Sequence, residues 1–495
     1  MKTDLAKKTK LGIIWNAMNI VVNKFFRLIS GIILARLLFP EDFGLYGLAL
    51  IIIRFSRRLT NMGFASVIVQ RKDISKNEID TIFTASFAIN LIVAAALYFV
   101  APFFAEWIDE PKVTKVIQVI SLTFLAAAFS LVAGNILKRD LRFKELSISR
   151  SMRPIFNYPA AIGLALMNFG AWSLILGELI GTLAMMLAMV LYSRWVPNFY
   201  FSIASFKKVY AYGMKVSFIS YLNYFTNNID YFLISKFLGM GALGYYERAF
   251  NLMNLTRKQL GRTVNETLFS AYSKINEDRE RVVKNLSKVL NYVSLVGYPV
   301  LIWLFFAAPS LIVVLYGEKW LPTVLPLQIM CASGLLNTLI MVFFPVTLAM
   351  DLTSDRLKAQ IIFLFSMAVL IYFLLPYNIA GVALAIVIAN TIYALLMIRL
   401  MKKNLDFKIS DFFRSQKTAL LYAIFQVAIL TGVTRGALLY FPQESIFMFI
   451  TVGVSTLVSF SLTHLIFRKS DYQNLIGEFT NMIKKKKAKS IKNAK

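Results

Sequence analysis

The sequence predicts an all-α polytopic membrane protein of fourteen transmembrane helices, arranged as two six-helix lobes of parallel internal repeat followed by two C-terminal helices. Three observations lead there. Of 495 residues 58% are hydrophobic, and the mean hydropathy is +0.64; soluble domains hold roughly 45–50% apolar residues. Apolar stretches near the roughly 20 residues that a bilayer requires recur along the whole chain. The basic residues gather on alternate connections between those stretches, as the positive-inside rule demands of a chain that crosses a membrane repeatedly.

The apolar stretches run over 11–38, 43–70, 80–105, 114–137, 152–169, 171–193, 209–238, 242–270, 287–316, 323–350, 358–376, 379–399, 417–441 and 445–467. The first is too long for a signal-peptide core and lacks a small-residue cleavage site after a short run, so it stays as a helix. With a cytoplasmic N-terminus, 38 of the 54 Lys and Arg fall on inward loops, tails and helix ends. Only Lys112, Lys115 and Lys319 fall on outward loops. That asymmetry requires an even number of crossings and two cytoplasmic termini. It also accounts for the net charge of +28 without nucleic acid as a partner.

Two halves of the chain repeat each other. The run Ala35-Arg-Leu-Leu-Phe-Pro-Glu-Asp-Phe-Gly44-Leu-Tyr46 aligns without a gap with Ser235-Lys-Phe-Leu-Gly-Met-Gly-Ala-Leu-Gly244-Tyr-Tyr246, and Ala101-Pro102 answers to Ala308-Pro309. Six helices lie between equivalent points, so both halves have one orientation in the membrane. The expected divisions are 1–200 for helices 1 to 6, 201–405 for helices 7 to 12 and 406–468 for helices 13 and 14. In 469–495, Tyr472, Leu475, Ile476, Phe479, Met482 and Ile483 share a helical face ahead of Lys484 to Lys487. This reads as an amphipathic, polybasic cytoplasmic tail on the anionic inner leaflet.

The second apolar stretch holds Arg54, Arg57 and Arg58 at i, i+3 and i+4, on one helical face. An arginine at the bilayer centre costs about 3 kcal/mol, so three facing lipid would cost roughly 9. They must line a packed interior or a wet cavity, and too few carboxylates lie near to pair all three. In the first helix Asn16, Asn19, Asn23, Arg27 and Ser30 form a single stripe beside Lys24. Ser220, Asn223, Asn227 and Asp230 repeat that stripe in the seventh, and Asn254, Arg257 and Lys258 answer the arginines in the eighth. Helices 1, 2, 7 and 8 are therefore expected to line a cationic central cavity. Its substrate-binding set is Lys24, Arg27, Arg54, Arg57, Arg58, Arg257, Lys258, Asn23 and Asn223. Asp230 and Glu247 are the acids placed to couple transport to an H+ or Na+ gradient; Glu178 and Glu266 are two further intramembrane acids. Arg36, Lys236 and Arg435 lie near helix ends, where long cations snorkel to the interface. The single Cys331 and single His464 leave no metal-ligand set. No GxxxxGK[ST] loop is present and no nucleophile–base pair stands out, so neither an enzyme nor a cofactor is expected.

The run 35–46, Val69-Gln-Arg-Lys-Asp73, Lys138-Arg-Asp-Leu-Arg-Phe143 and Leu243-Gly-Tyr-Tyr-Glu-Arg-Ala249 resemble the Wzx-type polysaccharide transporter family of the MOP flippase superfamily, and are most similar to colanic acid and teichuronic acid exporters. The resemblance covers essentially the whole chain. It implies a MATE-like bundle in the bacterial cytoplasmic membrane that flips undecaprenyl-pyrophosphate-linked oligosaccharide to the outer leaflet by alternating access, with polysaccharide polymerase and export machinery as partners. The three arginines, and Asn61-Met-Gly63 after them, depart from the mostly apolar second helix of that family and favour a more acidic cargo. A lipid II-type flippase would share a positive cavity. A cation-coupled multidrug antiporter of the same superfamily would have an acid-dominated one. A membrane glycosyltransferase or polymerase would need larger outward loops with catalytic carboxylates.

This topology is open to direct measurement. Single cysteines at Asp109 and Lys319 should react with a membrane-impermeant reagent added outside intact cells, and cysteines at 141 and 276 should not. Labelling of position 141 from outside would overturn the scheme.

Overall fold

The computed structural model of the chain describes residues 2–60, 64–71, 74–203, 206 and 224–466, without the side chains of 2–10, 256–267 and a few single positions. Every regular element among these residues is helical. The chain divides into two compact units, Met1–Glu247 and Arg248–Lys495. Of the described residues, 224–247 fall in the first unit.

In the first unit α1 (Lys2–Leu37) leads to α2 (Pro40–Thr60) through a two-residue turn. Proline opens α2 because its missing N–H would have no partner in the first turn anyway. Glu41 and Asp42 in that turn favour the positive helix end, and Asp42 accepts from the Phe39 N–H at 2.9 Å. A short α3 (Phe64–Gln70) follows. Next, α4 (Lys76–Ile108) starts at a capping box: Ser75 Oγ accepts from the Glu78 N–H at 3.2 Å, and Glu78 accepts from the Ser75 N–H at 2.9 Å. The fourth expected span is divided at Leu122 into α5 (Lys112–Ser121) and α6 (Thr123–Arg139). An antiparallel pair, α7 (Phe143–Leu166) and α8 (Ala171–Ser193), completes the first six spans. Within it Gly177 and Gly181 lie against the backbone of Asn157 and Arg153, so the two helices approach closely. The unit ends with α9 (Ile229–Phe237) and the start of α10 (Gly239–Tyr272).

The second unit holds α11 (Arg279–Tyr316), α12 (Val324–Ala349), α13 (Thr353–Leu374), α14 (Asn378–Leu405), α15 (Ile409–Ala437) and α16 (Ile446–Ile466). Its core gathers Leu286 and Leu290 of α11, Val342, Phe343 and Val346 of α12, and Met397 and Met401 of α14. The last two helices pack on α11, and a buried polar contact fixes that register. Ser294 and Tyr298 hydroxyls both donate to Gln416 Oε1, at 2.8 and 2.9 Å.

Among the described residues, seven helical runs are long and apolar enough to cross a membrane. They comprise α4, α5 with α6, α8, α11, α12 with the 3-10 turn before it, α13 with α14, and α15. The chain is a multi-pass membrane protein.

The contact of α2 with α10 depends on two glycines. A Cβ placed on Gly44 would lie 2.0 Å from the Met240 carbonyl oxygen, and one placed on Gly244 would lie 1.9 Å from the Pro40 carbonyl oxygen. The contact is reciprocal in the sequence offset of 200, since 44 meets 240 and 244 meets 40. Between these lie two contacts of equivalent positions: Glu41 at Gly241, and Glu247 at Gly47, with Cβ separations of 3.5 and 3.6 Å to the glutamate Cγ atoms.

Alanine at either close glycine forces two backbones apart, so Gly44→Ala and Gly244→Ala should each lower stability by about 1–3 kcal/mol, the usual cost of overpacking. The double variant should cost less than the sum, because one separation relieves both clashes. Gly31→Ala, with nothing within 4 Å of the added Cβ, is the control. Thermal unfolding in detergent measures all four; a Gly44→Ala variant as stable as the control would refute the close crossing.

Candidate functional site

The site is built on α2. Its arginines share a face by periodicity, but the structure divides that face among three surroundings. Arg54 is exposed and lies within electrostatic reach of Tyr231 at the start of α9. Arg58 is half-buried, its guanidinium 4.9 Å from the centre of the Tyr224 ring, a cation–π contact. Tyr224 is itself tied to α2, donating its hydroxyl to the Ile51 carbonyl and packing against Phe55 with ring centres 5.7 Å apart. Arg57 turns the other way, into the unit. Its Nε is buried without a hydrogen-bond acceptor, and its electrostatic neighbours are Arg153 and Glu178.

Arg153 of α7 and Glu178 of α8 form an ion pair, with Glu178 only 4% exposed. The second carboxylate oxygen of Glu178 accepts from Asn157 Nδ2 at 2.8 Å. Gly177 beside Glu178 is what brings α8 close enough to Asn157 for this bond. One carboxylate thus serves two cations, one bonded and one nearby, and offsets their mutual repulsion in a low-dielectric interior. The sequence signal for this network was an acid flanked by Gly177 and Gly181 in an otherwise apolar helix. Arg153 carried no such signal, since it falls at the edge of the fifth apolar stretch.

On α1, the stripe also divides. Asn19 Nδ2 donates to the Ser147 carbonyl at 3.1 Å and to Ser151 Oγ at 2.8 Å, which fastens α1 to α7. Asn23 Nδ2 donates to the Asn19 carbonyl within its own helix at 2.8 Å. Lys24 and Arg27 are exposed. Asn19 is therefore a packing residue, whereas Lys24 and Arg27 lie on the exposed part of the helix. Asn223 lies outside the described residues, and so do the side chains of Arg257, Lys258 and Glu266.

The two expected coupling acids differ. Asp230 is 3% exposed; its Oδ2 accepts from the Tyr246 hydroxyl and its Oδ1 is buried with no partner. Tyr246 lies edge-on to Tyr231 at 5.5 Å. Asp230 is therefore held by a neutral phenol and not by a cation. Glu247 is half-buried where α10 crosses Gly47. In the second unit Arg248 lies over Tyr316 and Trp320, at 5.6 and 5.7 Å from their ring centres.

Residues 33–325, more than half of the chain, match a family described as polysaccharide biosynthesis protein. The chain belongs to this family. Among curated members of similar sequence, the lipopolysaccharide biosynthesis protein WzxC of Escherichia coli K12 is 26% identical over 68% of each chain. The succinoglycan biosynthesis transport protein ExoT of Rhizobium meliloti is 25% identical over 64% of each. The polysaccharide family member described here also shares its fold with solved structures. The lipid II flippase MurJ in an inward closed conformation superposes with a TM-score of 0.70 at 18% identity, covering 92% of this chain and 99% of that one. An inward-facing multidrug resistance transporter of the MATE family, in the MOP superfamily, gives 0.60 at 16% identity, over 80% and 98%. The MOP-type helical fold expected from the sequence is thereby found.

Removing the shared carboxylate should expose the strain in the arginine network. Glu178→Gln keeps the shape but leaves two cations without a counter-charge; it should cost about 1–3 kcal/mol, below the roughly 3–5 of a fully buried pair, because the Arg153 side chain keeps 35% of its exposure. The double variant Glu178→Gln with Arg153→Met should recover most of the loss. A Glu178→Gln protein as stable as wild type in detergent unfolding would show that the ion pair contributes nothing.

Proposed function

We propose that this chain is a transporter, not an enzyme, and that it moves a lipid-linked oligosaccharide, a polysaccharide repeat unit on undecaprenyl pyrophosphate, from the inner to the outer leaflet of a bacterial cytoplasmic membrane. Family membership and relatives named for polysaccharide biosynthesis and transport supply the class of cargo. The observation that carries the mechanism is Arg54, an exposed arginine in the midst of α2. Facing hydrocarbon it would cost about 3 kcal/mol; facing a wet cavity it is free to bind phosphate oxygens, which the planar guanidinium engages in pairs. Lys24, Arg27 and Arg58 join it as headgroup ligands, while the prenyl tail stays in lipid. Arg57 and Arg153 set the background potential from within the unit.

Fourteen helices with both termini cytoplasmic, in two six-helix repeats related by a pseudo-two-fold axis along the membrane normal, complete the reading. The reciprocal contacts of 40 with 244 and 44 with 240 support that axis, as two-fold related surfaces touch in this crossed way. On this topology they lie at the outer ends of α2 and α10. The Lys236–Asp109 ion pair at 2.7 Å lies there too. Such a closure supports loading from the cytoplasm, followed by rocking of the repeats to open the outer side. A proton or sodium gradient would reset the cycle, with Asp230 as the acid best shielded from the cations and Glu247 as the second.

A vesicle assay with defined undecaprenyl-pyrophosphate oligosaccharides tests this. Arg54→Ala and Arg58→Ala should each slow flipping about tenfold, the effect of losing one charge-assisted contact, while the folded yield is retained. Asp230→Asn should remove the dependence on the ion gradient. Normal flipping by both arginine variants would make the cations structural, and cationic drugs in the same vesicles would then decide for the antiporter reading.

A further inference from the structure

Arg356 belongs to the second unit. It is in the first turn of α13, and it is 4% exposed. Its guanidinium carbon lies 4.0 Å from the centre of the Phe344 ring of α12. Its Nε and Nη1 atoms are buried and have no hydrogen-bond acceptor. The acid next to it, Asp355, is engaged by Lys358 at 3.2 Å. A charged fork of donors in a low-dielectric setting demands an acceptor, and the face of one aromatic ring supplies none.

The surroundings indicate what that acceptor is. Phe344 and Leu348 on α12, and Ile361, Ile362 and Phe365 on α13, are exposed apolar side chains of a membrane protein. They give a hydrocarbon chain a surface next to the buried cation. The first-turn amides of α13 add a positive helix end. With the inward loops placed by the basic residues, this corner faces the anionic inner leaflet. We propose that Arg356 binds the phosphoryl group of an anionic membrane phospholipid, its acyl chain lying along the exposed faces of α12 and α13. The guanidinium fork spans two phosphate oxygens, and Phe344 holds its plane from behind.

Purified full-length protein in detergent tests this apart from orientation and transport, so failure here leaves the flippase reading untouched. Native mass spectrometry with added phosphatidylglycerol should show one tightly retained lipid on the wild type. Retention should fall at least fivefold in Arg356→Gln, with phosphatidylcholine retained weakly by both. Phosphatidylglycerol should raise the unfolding temperature of the wild type by several degrees, and inorganic phosphate at equal phosphorus concentration should not. Should Arg356→Gln not accumulate, Arg356→Lys carries the test: it keeps the charge and loses the fork, so retention should drop at least threefold. Equal retention by wild type and variants would overturn the proposal. An equal shift with inorganic phosphate alone would overturn the lipid as the source of the phosphoryl group.

Discussion

The constraint on which the rest depends is that a guanidinium cannot be left facing hydrocarbon. Each of the three arginines of α2 meets it differently: Arg58 with an aromatic face, Arg57 with the buried Glu178 carboxylate of α8 nearby, and Arg54 with an exposed position. Of the three, Arg54 is the most open to a group from outside the chain, with the half-buried Arg58 beside it. The other two require neighbours at fixed distance, which explains why Tyr224 is bonded back to α2 and why α7 and α8 approach so closely at Gly177 and Gly181. The packing of the first unit thus follows from its electrostatics.

The same contrast separates the acids. Glu178 lies among cations and is engaged on both oxygens. Asp230 has a phenol on one oxygen and nothing on the other. Glu178 is thereby committed to the arginine network, whereas Asp230 is held by a neutral donor and has no cation bonded to it.

Much of this was legible in the sequence. The sixth apolar stretch coincides with α8, since Gly170 with its positive φ and Arg194 in the left-handed region mark its ends. The offset of 200 is readable in the sequence, and residues that it relates meet at the α2–α10 crossing, which the sequence alone does not indicate. Less legible was the start of α7. Ser147, Ser149 and Ser151 depress the hydropathy, so the apolar pattern starts at 152, whereas the helix begins at Phe143. Arg153 consequently lies in the third turn and not at a helix edge, so its pairing with Glu178 is not legible in that pattern. Periodicity tells which residues share a face; it does not tell how neighbouring helices divide that face, and Arg57 parts from Arg58 for that reason.

The pairs at the centre of the α2–α10 crossing bear on ancestry. Glu41 meets Gly241, and Gly47 meets Glu247, so each equivalent pair joins one glutamate to one glycine, in opposite senses. Two identical subunits related by a true dyad could not make this arrangement. Each would set glutamate against glutamate at one level, which repels, and glycine against glycine at the other, which leaves a void. A single polypeptide holding both repeats is released from that identity, and can fill each level with one side chain. On the proposed repeat, fusion of two ancestral copies would have done more than fix stoichiometry: it would have allowed the dyad itself to be packed.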